Sequence, residues 1–334
     1  MTLTTVVLGF AAVSVGIAGL GIVLSRSADA LGNAFRLDRS ITGFLLLAAA
    51  TSLPELVVSC QVVREGSPGM AVGSLLGSCL MNLLILAVID LTRRTRGRIL
   101  TQKAAAHALA SLASVFLAAI VAVAVLVPSM PSIGRYHSAS LMIAVVYIIT
   151  FRLVYLDRRV SRPKCASDDE EIPSVTGPTK GWQRPIAWYL GSTLGIFLLA
   201  PFLASSSIQL SDVLHLSGTF FGAVFLALVT SLPELVTTGE ASRMGAEDMA
   251  IGNILGSNAF NLLILVGVDI CYPLPLFSSL TSVHAIAALG VIATTTVAAM
   301  GLLYRAEKRF LLLEPDAVSV ILMAILFFYL LYVL

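Results

Sequence analysis

The chain reads TSLPELV at residues 51–57 and again at residues 230–236. Around these stretches, residues 43–90 and 222–269 align without a gap at an offset of 179 positions, and 24 of the 48 aligned positions are identical. Each copy places a glutamate and a proline inside an apolar segment, where a charge is costly and a proline removes a helical hydrogen bond. The chain is therefore an internal duplication whose repeated part carries unusual polar chemistry.

The composition of the chain indicates whether it folds in water or in a lipid bilayer. Hydrophobic residues make up 57% of it and charged residues only 12%. Ten apolar runs of about twenty residues, numbered here as spans 1 to 10, lie near 3–24, 40–63, 69–91, 104–127, 138–156, 185–204, 214–239, 249–271, 279–303 and 316–334. Each is long enough to cross a hydrocarbon core of roughly 30 Å. Lipid cannot satisfy backbone polar groups, and runs without strand-like alternation favour helices over a barrel. We predict an all-α polytopic membrane protein with ten transmembrane helices.

Lysine and arginine are distributed unevenly between the predicted loops. The loops after spans 1, 3, 5, 7 and 9 hold 18 of the 21 Lys and Arg residues, and the loops on the other side hold two. By the positive-inside rule, both termini lie outside the cytoplasm. Each half then holds five spans, so the second copy enters the membrane from the opposite face. The predicted organisation is a five-helix repeat at 1–157, a cytoplasmic linker at 158–184 and an inverted five-helix repeat at 185–334.

Inverted repeats are typical of secondary transporters, which bind substrate and coupling ions near the midplane on interrupted helices. Pro54 and Pro233 lack an N–H and clash with the carbonyl four residues earlier, so each should open its helix and free backbone oxygens. We expect broken helices in spans 2, 3, 7 and 8. Because spans 2 and 7 run in opposite directions, Glu55 and Glu234 can converge.

Small polar residues accompany each glutamate at helical spacing. In the first copy, Ala48, Thr51, Ser52 and Glu55 lie at i, i+3, i+4 and i+7 and therefore share one helix face. Carboxylate, hydroxyl and backbone carbonyl oxygens are the ligands that hard cations prefer. Spans 3 and 8 add a second polar ladder, which consists of Ser74, Ser78 and Asn82 in the first copy and Asn253, Ser257 and Asn261 in the second.

The paired TSLPE motifs and the GSN-x-x-N form at Gly256–Asn261 resemble the two α-repeats of the calcium/cation antiporter superfamily, to which the sodium/calcium exchangers belong. The resemblance implies that Glu55 and Glu234 bind Ca²⁺ directly with help from Thr51 and Thr230. It also implies flanking Na⁺ sites and a lining of amides. The residues that the resemblance implies for the Na⁺ sites are Ser52, Ser231, Ser78, Ser257 and the carbonyls of Ala48 and Ala227. The amides that line the centre are those of Asn82 and Asn261.

The chain departs from the family pattern before each motif threonine, where Ala50 and Val229 replace a glycine, and at two further positions of the first copy. Ser74 and Cys79 stand where the second copy retains Asn253 and Asn258. The amides that line the centre are neutral in both copies, so the two glutamates leave a formal site charge of −2. That charge balances one Ca²⁺ or two Na⁺.

These features predict secondary active antiport of Ca²⁺ against Na⁺ by alternating access, without a cofactor and without enzymatic activity. Exchange of Ca²⁺ or another cation for H⁺ is the nearest alternative, because a buried carboxylate beside another one can take up a proton. An intramembrane hydrolase does not explain why the hydroxyl stripes are doubled, and a cation channel would lack obligatory coupling. The expected partners are Ca²⁺, Na⁺ or H⁺ and the lipid bilayer, with no nucleic acid, for a monomer in a plasma (inner) membrane.

Overall fold

The computed structural model describes residues 3–35, 48–92, 104–127, 129–133, 136–160, 181–243, 245, 247–304 and 315–334. Most of these residues are helical. Two predicted ranges lie partly outside them. Residues 43–47 of the first duplicated segment and residues 161–180 of the predicted linker are not among the described residues.

The described part of the first half contains six helices and a short β-hairpin. A two-residue hairpin, β1 (Ser132–Ile133) and β2 (Tyr136–His137), pairs antiparallel just before the last of them. The helices are α1 (Leu3–Ala34), α2 (Ala48–Thr51), α3 (Leu53–Arg64), α4 (Pro68–Thr92), α5 (Ala104–Leu126) and α6 (Ser138–Val160).

The second half repeats this order. A π-helical turn (Gly222–Leu226) lies between α8 and α9, and a 3₁₀ turn (Leu276–Ser279) follows α11. The helices are α7 (Gln183–Val213), α8 (Gly218–Phe221), α9 (Ala227–Thr230), α10 (Leu232–Arg243), α11 (Glu247–Cys271), α12 (Ser282–Tyr304) and α13 (Pro315–Val333). Helices α9, α10 and α11 begin and end 179 residues after α2, α3 and α4, so the repeat in the sequence is also a repeat in secondary structure.

Helices α1 and α7 extend the duplication beyond the aligned segments. A Cβ atom added to Gly16 would lie 3.0 Å from Cδ1 of Leu199, and one added to Gly195 would lie 2.8 Å from Cδ1 of Leu20. Gly195 and Leu199 are the repeat equivalents of Gly16 and Leu20. The two contacts are therefore equivalent to each other under exchange of the two repeats. From Gly16 to Leu20 the residue numbers rise along α1, while the residues they contact in α7 fall from Leu199 to Gly195. The two helices therefore run antiparallel, as inverted repeats require.

Several helices are long and apolar enough to span a membrane, which makes this a multi-pass membrane protein. Among the described residues six helices meet that test, and the bent pair Gly218–Thr230 and Leu232–Arg243 makes a seventh when it counts as one span. Ser138–Val154 and Ala317–Val333 are shorter apolar helices. The count of ten spans goes further than this and stays a prediction.

Both TSLPE motifs interrupt a helix at the serine. Ser52 has φ −88° and ψ 4°, and Ser231 has φ −86° and ψ 5°, so the same departure from α geometry occurs in both halves. At Ser231 the two helical segments are bent by 46° relative to each other. Proline follows two residues later in each copy and cannot donate to the preceding turn. The α-helix is therefore interrupted at the serine of each motif.

The prediction of breaks in spans 3 and 8 was wrong, because α4 and α11 are continuous α-helices of 25 residues each. Pro68 occupies the first position of α4, where its missing N–H is not needed. The glycines inside α4 serve a different purpose. An added Cβ at Gly73 would lie 2.5 Å from the carbonyl oxygen of Thr219, and one at Gly77 would overlap the backbone of Ala223. These glycines let α4 approach the start of span 7 closely.

We expect Gly77→Ala to destabilise the fold, because the new methyl group meets backbone atoms that cannot rotate away. Overpacking of this kind costs about 1–3 kcal/mol. Thermal unfolding of the purified protein in detergent measures it. Gly191→Ala in α7 is the control, since a Cβ there meets no described atom within 4 Å. An unfolding midpoint for Gly77→Ala equal to that of the control would contradict the close packing of α4.

Candidate functional site

The two motif glutamates are brought into one buried cluster. Glu55 is 1% exposed and Glu234 is 0% exposed, and the two carboxylates interact electrostatically. Each lies in the first turn of the helix that follows its break, α3 or α10. The N-terminal end of a helix carries unpaired N–H groups and a partial positive charge, which favours an acidic side chain there. The break therefore positions each carboxylate as well as interrupting the span.

Each glutamate faces the hydroxyls of the opposite repeat. The Ser52 hydroxyl donates to Oε1 of Glu234 at 3.4 Å. In the mirrored arrangement, Glu55 lies beside Thr230 and Ser231. Glu234 also has Thr51 beside it. The site is thus shared between the halves, and neither repeat holds a complete set of groups.

The hydroxyls of α4 and α11 close the cluster from a second direction. Thr51 Oγ1 lies 3.3 Å from Ser257 Oγ, and Thr230 Oγ1 lies 3.5 Å from Ser78 Oγ. These two contacts are repeat equivalents of each other. All four side chains are fully buried. The structure therefore brings together the Glu, Thr and Ser side chains that the two motifs and two ladders contribute.

Many oxygens of this cluster have no partner. Among the described residues, both carboxylate oxygens of Glu55 and Oε2 of Glu234 accept no hydrogen bond. A buried polar group without a partner costs free energy, and a buried charge costs more. Oxygens held this way are satisfied when a cation binds between them. Other buried atoms of the cluster without a partner there are Ser231 Oγ, Asn82 Oδ1, Asn261 Oδ1 and Asn261 Nδ2.

The carbonyls of Ala48 and Ala227 differ from the rest of the predicted set. Each accepts a backbone hydrogen bond from the serine at the break, at 3.0 Å from Ser52 and 2.9 Å from Ser231. Each also accepts from the threonine hydroxyl of its own motif at 3.3 Å. These two carbonyls already have partners within their own segments, and their role as ion ligands stays a prediction.

An asparagine outside the predicted set connects the two halves. Asn258 accepts from Nδ2 of Asn82 at 3.0 Å, and its own Nδ2 donates to the carbonyl of Cys79 at 3.2 Å. It is fully buried. The signal for it was the position where the two copies differ, since Cys79 is its repeat equivalent. Sequence comparison found the difference without indicating that the two residues touch.

The donors of the cluster suit a hard cation. No group of three or more His, Cys, Asp or Glu side chains with metal-site spacing occurs in the part of the chain that the structure describes. The cluster instead combines two carboxylates with neutral hydroxyl and amide oxygens. Oxygen-only ligation of mixed charge is what Ca²⁺ takes in proteins, whereas Zn²⁺ favours His and Cys.

Residues 5–156 and 185–334 match the sequence pattern of the family described as "Sodium/calcium exchanger protein". The chain belongs to the sodium/calcium exchanger family. The match has two parts, one in each repeat, and together they cover most of the chain. This is a family of ion transporters of the calcium/cation antiporter type.

Curated relatives include inner membrane protein YrbG of Escherichia coli K12, which is 30% identical over 246 residues and 72% of each chain. Putative antiporter CaxA of Alkalimonas amylolytica is 27% identical over 243 residues, also 72% of each chain. Among solved structures, the sodium-calcium exchanger NCX_Mj superposes with a TM-score of 0.64 at 17% identity and covers 97% of this chain and 98% of its own. At that identity the likeness shows that this exchanger-family chain shares the fold.

Unpartnered buried oxygens predict that a hard cation stabilises the folded protein. We expect Ca²⁺ to raise the thermal unfolding midpoint of the purified protein in detergent, since a ligand at about 100 times its Kd adds about 2.7 kcal/mol. Glu55→Gln should remove most of that increase. Glu65→Gln, at an exposed glutamate where α3 ends, should retain it. Equal Ca²⁺-dependent shifts in the two variants would show that the cluster around Glu55 is not the cation site.

Proposed function

We propose that this protein is a secondary active antiporter that exchanges Ca²⁺ for Na⁺ by alternating access around the Glu55/Glu234 cluster. The observation that carries the proposal is a pair of buried carboxylates, one from each half, with three of four oxygens lacking a partner among the described residues. Membership of the sodium/calcium exchanger family supports both ions as substrates. No single half of the duplication supplies the cluster, so movement between the halves changes access to it.

Charge supports competition between the two ions. The two glutamates carry −2 when ionised, which one Ca²⁺ or two Na⁺ neutralise. The amides of Asn82 and Asn261 add oxygen ligands without charge. Ca²⁺ and Na⁺ therefore cannot both fill the cluster without leaving it net positive, and exchange of one for the other follows.

The proposed topology is ten spans in two inverted five-helix repeats in the plasma (inner) membrane, with both termini extracytoplasmic and the linker cytoplasmic. The exchanged contacts between α1 and α7 and between the motif hydroxyls support the inversion. The excess of Lys and Arg in alternate loops supports the orientation. The cluster would then lie near the middle of the bilayer, where interrupted helices of both repeats meet.

Helices α1 and α7 are the proposed moving part. They pack mainly against each other, and each also contacts an interrupted span of the opposite half. A Cβ added to Gly21 in α1 would overlap the ring of Pro233, so this helix lies directly over the break in span 7. Most of their surface is not buried inside the protein. Sliding of this pair would displace lipid and leave the central helices in place.

Coupling to H⁺ is the second candidate, and one observation favours it. Glu55 is buried with neither carboxylate oxygen partnered by a described residue, so a proton can neutralise it in place of a cation. The choice between Na⁺ and H⁺ therefore needs a flux experiment.

In proteoliposomes we expect an outward Na⁺ gradient at equal pH to drive Ca²⁺ uptake. A pH gradient without Na⁺ should not drive it. Glu55→Gln should reduce uptake to the level of protein-free vesicles, because the neutral side chain cannot balance Ca²⁺, while Glu65→Gln should transport at the wild-type rate. Uptake that follows only the pH gradient would replace Na⁺ by H⁺ as the coupling ion. Normal exchange by Glu55→Gln would overturn the proposed site.

A further inference from the structure

Residues 79 and 258 occupy equivalent positions in the two repeats and touch each other. Asn258 Nδ2 donates to the backbone carbonyl of Cys79 at 3.2 Å. The Cys79 thiol donates to the backbone carbonyl of Asn258 at 3.7 Å. Both residues are buried, 0% exposed in each case. Each side chain therefore donates to the backbone carbonyl of the other residue, Asn258 through an amide N–H and Cys79 through a thiol S–H.

The two side chains differ in whether they can accept a hydrogen bond. An asparagine side chain has a carbonyl oxygen as well as an NH₂ group, whereas a thiol sulfur is only a weak acceptor. The Asn258 oxygen uses this capacity, because it accepts from Asn82 at 3.0 Å. The mirrored group is Asn261, which faces the Cys79 thiol. Cys79 offers it no comparable acceptor.

The two lining amides are consequently not equivalent. Asn82 is tied through its Nδ2 to Asn258, and only its Oδ1 has no partner among the described residues. Asn261 is fully buried, and neither its Oδ1 nor its Nδ2 has a partner in the described part of the chain. Because both atoms are unpartnered, this difference does not depend on which way the amide of Asn261 is oriented.

We propose that Cys79 is a positioning residue that leaves the Asn261 amide free to bind the transported cation, so that Asn261 and not Asn82 contributes the stronger amide ligand. The inference rests on the proposed function and concerns the same site. A free amide rotates to present its oxygen to the cation without breaking another hydrogen bond. Asn82 also has an unpartnered oxygen, but its contact with Asn258 fixes the direction of that oxygen, so this amide can turn toward the cation only by giving up the contact.

The first test compares the two amides in an otherwise unchanged protein. We expect Asn261→Ala to raise the half-saturating Ca²⁺ concentration by about tenfold, since an interaction with a charged group contributes about 1.5–3 kcal/mol. Asn82→Ala should raise it by less than about threefold. Two readouts are used: Ca²⁺ uptake into proteoliposomes, separated into half-saturation and maximal rate, and the Ca²⁺-dependent rise of the unfolding midpoint in detergent. Equal effects of the two substitutions, or the opposite order, would overturn the inference.

The second test exchanges the asymmetry across the repeat axis. Cys79→Asn combined with Asn258→Cys places the amide in the first half and the thiol in the second. Asn82 should then become the free amide, so the order of the two alanine effects should reverse in this background. A merely structural role of Cys79 predicts no reversal, and an unchanged order would refute the positioning role.

Two further variants keep the result interpretable. Cys79→Ala removes the thiol without adding an acceptor, so Asn261→Ala should still exceed Asn82→Ala in its effect. Cys60→Ala, at a half-buried thiol in the same half, should leave half-saturation at the wild-type value. If the exchanged variant does not fold, the comparison in the unchanged protein still decides. Wild-type protein that neither binds nor transports Ca²⁺ would refute the proposed function, whereas Ca²⁺ binding with equal amide effects would refute this inference alone.

Discussion

The constraint on which this structure depends is the burial of two carboxylates whose oxygens the protein does not satisfy. Each ion taken from water costs several kcal/mol even after relaxation, and three of the four oxygens of Glu55 and Glu234 have no partner among the described residues. Packing alone does not account for such a pair, because leucine would fill the same volume without the cost. The surrounding elements reduce the cost in part. Helix N-termini face the carboxylates, and hydroxyls from the opposite repeat lie beside them.

Duplication makes this arrangement economical in sequence. One pattern of serine, proline and glutamate forms the same backbone departure twice, within 2° in φ at Ser52 and Ser231. Inversion then directs the two copies at each other, so each hydroxyl meets a group of the other half. The glycines of α4 let span 7 approach closely enough for these short side chains to touch. Short polar side chains, close helices and the repeat axis are therefore parts of one requirement.

Sequence patterns predicted the helical fold, the interrupted TSLPE segments and the meeting of Glu55 with Glu234. These depend on local rules, such as proline geometry, and on the direction of the chain through the bilayer. The continuity of α4 and α11 was missed, although it agrees with contacts to a distant segment: Gly73 and Gly77 of α4 pack against Thr219–Ala223 and do not interrupt the helix. The role of Asn258 was also missed. Its partners lie 176 and 179 residues away, and no periodicity connects positions so distant.

The remaining differences between the halves show how far the symmetry extends. In the second repeat, Asn253 Nδ2 donates to both Thr237 and Thr238 at 3.1 Å and holds α11 against α10. The equivalents in the first repeat are serine, valine and serine, and the hydroxyl of Ser59 has no partner among the described residues. Span 7 is therefore held by side-chain hydrogen bonds that the described residues of span 2 do not form at the equivalent positions. In the proposed alternating-access cycle, two conformations related by the repeat axis would exchange the environments of these spans, and bonds present in one repeat alone would make their free energies differ.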